Sequence, residues 1–452
     1  MYTRKTHLGG LLALALTLPI IAACGDAAAT PVPAVTAPPA VAPAATAPPA
    51  AAPATPTAAA AGSGGQKVTL TFWNGFTGPD RPAVEELVKR YNDAHPNVQI
   101  QMDILPWDSV RQKLLSTLTT GQGPDLFGMS FGYLPQYVDS GALLDLTPYF
   151  KAGTDLDPAN WPPALGDLIK SNGKFYAAPM NYATLLMYYN KDMFKAAGLD
   201  PDKPPANWTE WQTALKALTK PDKGQYGTAI GEHETIPNWP IFIWANGGDV
   251  VRNGKSALTD PKTVEALKTW AALVKDQKIS PTGLNGADAD KLFQSQKAAM
   301  EITGPWMTNG FTAAGINYGV APIPTGSGGP VTLADTVVMM VNKDTKNADA
   351  AVDFVRYWNS KDAQLYFSTQ TGFPPARIDL ANDPALAKNP WAPKFAAVAP
   401  VSRFYLGGQK KFAQIDTEVF VPMIQAITLG KKSVEQATQD ADQKLNAILA
   451  QP

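Results

Sequence analysis

Three histidines and one cysteine are all that 452 residues hold for nucleophilic or metal chemistry. Glu232-His233-Glu234 is the one place where an imidazole stands among carboxylates. Its consecutive positions lack the spacing that converges ligands on a metal, so it is a weak metal signal and no metal is expected. His95 lies in His-Pro-Asn, a turn. No Gly-x-Ser-x-Gly elbow, His-Glu-x-x-His pair or phosphate loop is present. Gly326-Ser327-Gly328-Gly329-Pro330 opens no helix and is read as a turn. Asp416 and Glu418 are the residue types of a glycosidase pair. Two apart on a helix they face different ways, which is the pattern of solvated surface. The expectation is a protein without catalysis or cofactor.

Aromatic side chains beside amides and glycines stand out instead. Trp73-Asn74-Gly75-Phe76 follows a strand end, and Phe131-Gly132-Tyr133 follows another. Asn181-Tyr182, Asn238-Trp239 and Gly304-Pro305-Trp306 repeat the mixture. Aromatic faces stack on the C–H surfaces of sugar rings while amides and carboxylates satisfy hydroxyls, so the mixture suits a neutral polar ligand.

The elements that position these residues alternate. Val68 to Trp73 reads as a strand, and Val84, Leu87, Val88 and Tyr91 share a helical face. Val98 to Leu105 reads as a second strand. Ser109 is a plausible cap for a helix carrying Leu114, Leu115 and Leu118, and Pro124 to Gly128 is a short buried strand. This β-α-β-α-β order implies a parallel, doubly wound sheet, an α/β fold with its crevice at the strand ends. Farther along, Val337 to Val341 reads as a strand feeding a helix with Ala351, Phe354, Val355 and Trp358, and Val434 to Leu449 as the last helix.

The N-terminal segments are of another kind. Arg4 and Lys5 precede an apolar run from Leu8 to Ala23, too short for a span of about 18–20 residues. It ends in Ile21-Ala22-Ala23-Cys24, which looks like a lipobox, so residues 1–23 are read as a lipoprotein signal peptide and Cys24 as the lipidated residue. Residues 24–66 are mostly Ala, Pro, Thr and Val and are read as a disordered tether. Polyproline II at about 3.1 Å per residue would let it reach on the order of 120 Å. Lys+Arg 38 against Asp+Glu 39 argues against a nucleic-acid partner.

Motifs over residues 67–452 carry a resemblance. They include Gly121-Gln122-Gly123-Pro124-Asp125-Leu126-Phe127, Gly173-Lys174-Phe175-Tyr176-Ala177-Ala178-Pro179 and Tyr188-Tyr189-Asn190-Lys191-Asp192-Met193-Phe194. Phe293 to Met300 and Ile302-Thr303-Gly304-Pro305-Trp306 complete the order. The chain resembles the extracellular solute-binding proteins of the family that holds the maltose-binding and glycerol-3-phosphate-binding proteins, which serve ABC importers. That resemblance implies a two-lobe, type II periplasmic-binding-protein clamshell with hinge strands near Pro179–Ala183, Tyr318–Pro324 and Gly372–Arg377. Lobe 1 would be residues 67–178 with 323–372, and lobe 2 residues 184–318 with 377–452. It assigns Trp306 to stack on the ligand, and Asn74, Gly75, Phe76, Ser130, Phe131, Asn181 and Tyr182 to the cleft, to which the aromatic pattern adds Trp73 and Trp239. Asp335 and, near the C-terminus, Arg403, Phe404 and Tyr405 are further candidates.

Two departures bear on the cargo. Ala183 stands where maltose binders have a contacting glutamate. Leu333-Ala334-Asp335-Thr336 replaces the Gly-Gly of glycerol-3-phosphate binders, and a cleft-facing Asp335 would repel a phosphate while accepting sugar hydroxyls. The expectation is a monomeric lipoprotein outside the cytoplasm that captures a neutral mono- or oligosaccharide for a membrane ABC permease. The alternatives are a glycerol-3-phosphate, glycerophosphodiester or polyol importer, for which Arg403 or Arg252 would face the ligand, a secreted glycoside-active enzyme, or a ligand sensor.

Overall fold

The computed structural model describes residues 67–233 and 236–451. The expected signal peptide, Cys24, the tether to residue 66 and Glu234 lie outside the described residues.

β1 (Val68–Asn74) buries Leu70, Phe72 and Asn74, the period-two pattern of a strand. α1 (Arg81–Ala94) turns Val84, Leu87, Val88 and Tyr91 inward. After β2 (Val98–Ile104) comes α2 (Trp107–Thr119), which starts two residues before the expected cap Ser109 because Pro106 occupies the capping position. β3 (Leu126–Ser130) and β4 (Ala177–Pro179) follow. The chain then leaves this sheet through β5 (Ala183–Thr184) into β6 (Leu186–Asn190). α3 (Trp239–Ala245), α4 (Gly286–Gln294), β7 (Met300–Thr303) and β8 (Tyr318–Ala321) build the second half. It returns through β9 (Thr332–Asp335) to β10 (Val337–Val341), α5 (Ala348–Trp358) and α6 (Lys361–Thr371), and β11 (Ser402–Phe404) comes later.

The first sheet has the order β2-β1-β3-β10-β4. Its first three strands are parallel, as the β-α-β-α-β alternation predicts, and β10 runs antiparallel between β3 and β4. Phe72 packs edge-on against Phe354 and Trp358, fastening α5 to the sheet. The second sheet, β7-β6-β8, is antiparallel, with Tyr226 and Ala229 bridging in parallel to Ala298 and Glu301. The third, β11-β9-β5, is made of the segments that pass between the other two, and Asp335 pairs with Ala183 in it.

These passages are anchored by hydrogen bonds. The Met180 carbonyl accepts from Trp358 Nε1 at 2.9 Å and Gln364 Nε2 at 3.2 Å. Asn181 Oδ1 accepts from the Val337 N–H at 2.9 Å, and Thr336 Oγ1 donates to the Asn181 carbonyl at 2.6 Å. Among the described residues no helix is long and apolar enough to cross a membrane. Because Trp358 is fully buried and also carries one of these anchors, Trp358→Ala is expected to cost about 3–5 kcal/mol in chemical denaturation. Trp358→Phe, which keeps most of the packing, should cost about 1–2 kcal/mol.

Candidate functional site

The ends of β1 and β3, the start of α2 and the β9–β10 turn form one wall of a cavity of about 220 Å³. α4, β7 and the turn after it form the facing wall, and the segment from Tyr405 to Asp416 closes one side. At roughly 10–15 Å³ per water position, the cavity holds on the order of fifteen waters, a space comparable with one to two sugar rings.

Two indoles stand in this cavity, each laid across a glycine. A Cβ on Gly75 would fall 2.0 Å from the ring of Trp107, and one on Gly304 would fall 1.9 Å from the ring of Trp306. Only glycine lets the rings lie so low against the backbone. Phe76 meets Trp107 edge-on at 5.4 Å, while Phe373 backs Trp306 at 6.2 Å.

Five carboxyl groups line the cavity: Asp80, Asp290, Glu301, Asp335 and Asp416. Its one cationic side chain is Arg111, which pairs with Asp108 and donates to Tyr133 Oη at 3.2 Å. Ser130 Oγ donates to Asp335 Oδ1 at 3.0 Å. Thr303 Oγ1 and Trp306 Nε1 donate to the two oxygens of Asp290, at 2.8 and 3.3 Å. Tyr405 donates to Asp416 Oδ1 at 2.9 Å. Asn181 commits its Oδ1 to Val337 and keeps its Nδ2 donors for the cavity.

Burial pushes Asp335 up to about 7, with the Ser130 hydroxyl drawing it back only in part. Burial, reinforced by the charge of Asp290, also pushes Asp80 up to about 7. Glu301 rises well above the carboxylate range through burial and its contact with Asp290, and burial raises Asp290 and Asp416 as well.

Of the residues expected from sequence, Phe76, Ser130, Asn181, Trp306, Asp335 and Tyr405 line the cavity. The placement of five others is corrected. Trp73 lies beside Asp103 across the β1–β2 pair and donates to it at 3.2 Å, away from the cavity. Asn74 is fully buried, its Oδ1 accepting the Phe76 N–H to shape the turn. Phe131 packs between Phe404 and Phe412, Tyr182 bonds Ser402 and leans on Phe404, and Trp239 packs between Tyr405 and Phe420. These aromatics are consumed by the core.

The reading of Asp416 as solvated surface is also corrected. A π-turn (Asp416–Phe420) interrupts the helical run between Phe412–Ile415 and Val421–Thr428, and Asp416 faces the cavity while Glu418 stays exposed. Arg403 pairs with Asp249 over the Trp244 ring and Arg252 pairs with Asp260; neither lines the cavity. Glu232 is buried and accepts from the Thr428 hydroxyl. Among the described residues no group of three or more potential ligands could hold a metal ion.

Sequence reasoning missed Asp80, Trp107, Arg111, Asp290 and Glu301. A signal existed for two. Trp107 follows a strand end, and Glu301 is an acid inside the apolar run Ala298-Ala299-Met300-Glu301-Ile302.

Two sheets joined by passing strands, with a cavity walled by indoles and hydrogen-bonding groups between them, define a clamshell binding protein of the type II periplasmic class. The sequence profile of the bacterial extracellular solute-binding proteins matches residues 77–365, and the chain belongs to that family. A Brucella abortus protein described only as a binding protein is 29% identical over 408 residues, 87% of this chain and 95% of that one. An ABC transporter solute-binding protein of Thermotoga lettingae, solved with α-D-tagatose, superposes with a TM-score of 0.78 at 26% identity, covering 85% of this chain and 100% of that one. A cyclic α-maltosyl-1,6-maltose binding protein of Arthrobacter globiformis gives 0.70 at 26% identity, over 85% and 99%.

Asp80 and Asp335 hold protons more tightly folded than unfolded. Their neutral forms therefore favour folding at low pH, and that contribution is lost as pH rises from about 4 through about 7. Asp335→Asn is expected to raise the Tm of the ligand-free protein by a few degrees at pH 8 and by much less at pH 5, read by a pH series of thermal melts.

Proposed function

We propose that this chain captures a carbohydrate in the cavity and hands it to the membrane permease of an ABC importer. The observation that carries the reading is the pair of glycine-seated indoles, one from each half, facing each other's walls amid acceptor carboxyls and the Asn181 amide. Sugar rings offer both the C–H faces that indoles stack on and the hydroxyl donors that carboxyls accept. The sugars named for the Thermotoga and Arthrobacter proteins support the same class. Trp306 and Trp107 would stack on the ligand, with Asp335, Ser130 and Asn181 reading its hydroxyls. Five carboxyls against one paired arginine speak against a phosphate cargo.

In this reading the halves move as lobes about the passing strands. The bonds of Thr325 to Ala206 and of Gly328 to Ala245 tie residues 325–328 to the second lobe and support a return hinge at Thr332–Thr336, later than the expected Tyr318–Pro324. The bonds of Arg377 to Asn359 and Asp155, and of Asn389 to Thr369, support a third hinge after Asn389, later than the expected Gly372–Arg377. Ligand favours the closed form to the extent that it touches both walls. The protein would act as a monomer on a lipid anchor at Cys24, held near the permease by the tether.

Tryptophan fluorescence and thermal shift against mono-, di- and oligosaccharides, with glycerol 3-phosphate and glycerophosphocholine alongside, test the reading. A saturable response to a sugar is expected, weakened at least tenfold, about 1.4 kcal/mol, in Trp306→Ala and in Gly304→Ala, which evicts the ring. A response to the phosphates alone would overturn it. In cells, Cys24→Ser is expected to move the protein from the membrane to the soluble fraction.

A further inference from the structure

Asp80, Asp290 and Glu301 all line the cavity, Asp290 acting on both of the others, and among the described residues no cationic side chain besides Arg111 lines it. Arg111, the cavity's only cation, is paired with Asp108 and looks toward Asp416. Arg81, next to Asp80, pairs with Glu85 at 52% and 45% exposure, on the outer surface. Asp290 has two donors, Thr303 and Trp306. Glu301, 1% exposed and among the residues that line the cavity, hydrogen-bonds Asp290, so a proton is shared between the two acids, while its Oε2 has no partner. A buried oxygen left without a donor costs free energy unless something completes it.

A donor with positive charge completes it most fully. Hydroxyl donors would satisfy lone pairs but leave the raised carboxyls holding their protons, whereas a cation beside them lets them ionise. A metal ion would supply charge, yet these groups do not converge as a metal site. An organic ammonium fits both needs, because it brings two or three N–H donors and a charge spread over a larger radius. The face of Trp306, whose edge is pinned to Asp290, adds the aromatic surface to which such cations are drawn.

We infer that the cargo is a sugar bearing a basic nitrogen, a primary amine or a protonated ring nitrogen, seated against Asp80, Asp290 and Glu301 beside Trp306. The inference rests on the carbohydrate reading and deepens it. An N-acetylated nitrogen has lost the charge and two of its donors, so the site discriminates against it.

The test is isothermal titration with matched triplets: glucosamine, glucose and N-acetylglucosamine; the galacto and manno equivalents; and the β-1,4-linked glucosamine disaccharide with cellobiose and diacetylchitobiose. At least one amine is expected to bind ten or more times tighter than both its counterparts. Titrations in two buffers of different ionisation heat should show proton release on binding the amine and none with the hydroxyl sugar, as the ammonium displaces the proton Glu301 shares with Asp290. Glu301→Gln should reduce the preference to under threefold while leaving the melting temperature near that of the parent. Hydroxyl or N-acetyl sugars binding as tightly as the amines would overturn this inference and leave the carbohydrate reading standing. Binding by none of the triplets would count against both.

Discussion

The carbonyl of Met180 holds the architecture together. It receives two donors from opposite sides of a helix junction, the indole of Trp358 and the amide of Gln364, in a region from which water is excluded. One residue on, Asn181 is tied to the returning strand through both its side chain and its carbonyl. Two covalently distant passages are thereby fixed to each other and to the first sheet. The walls of the cavity are placed relative to that junction: Asp335 stands at the end of β9, Ser130 bonds to it from β3, and the second sheet begins two residues past Thr184.

Around that fixed junction the cavity is deliberately uncomfortable. Its acids sit where solvation is poor, and few protein groups neutralise them. In a core this would be a defect. Between two halves it is a stored preference for whatever brings donors and charge, because only a ligand can meet both walls at once. Indoles seated on Gly75 and Gly304 add surface without filling the volume, so the space stays open while its walls stay rigid.

Much of this was legible in the sequence where one rule governs a segment. Alternation announced β1, a short apolar run announced β3, helical spacing announced α1 and α5, and an indole in Gly304-Pro305-Trp306 announced a wall of the site. Reading failed where a side chain's neighbours come from distant segments. Trp73 and Phe76 look alike in sequence, but strand pairing turns the first toward Asp103 and a turn delivers the second to the cavity. Phe131 and Trp239 are claimed by aromatic partners hundreds of residues away. Asp80, before the first turn of α1, and Asp290, in the middle of α4, acquire meaning only when the two halves meet.

The π-turn at Asp416 has a consequence for how such a site changes over generations. A π-turn is one residue more than an α-helix needs, and each residue carries about 100° of rotation. Loss of a single codon there would swing Asp416, the Tyr405 hydroxyl's partner, away from the cavity while leaving the apolar seam of the following turns in register. A change of cargo at this corner is therefore reachable by a one-residue deletion, a class of mutation that most binding sites cannot survive, and comparison of helix lengths rather than residue identities is where lineages with different cargoes would diverge.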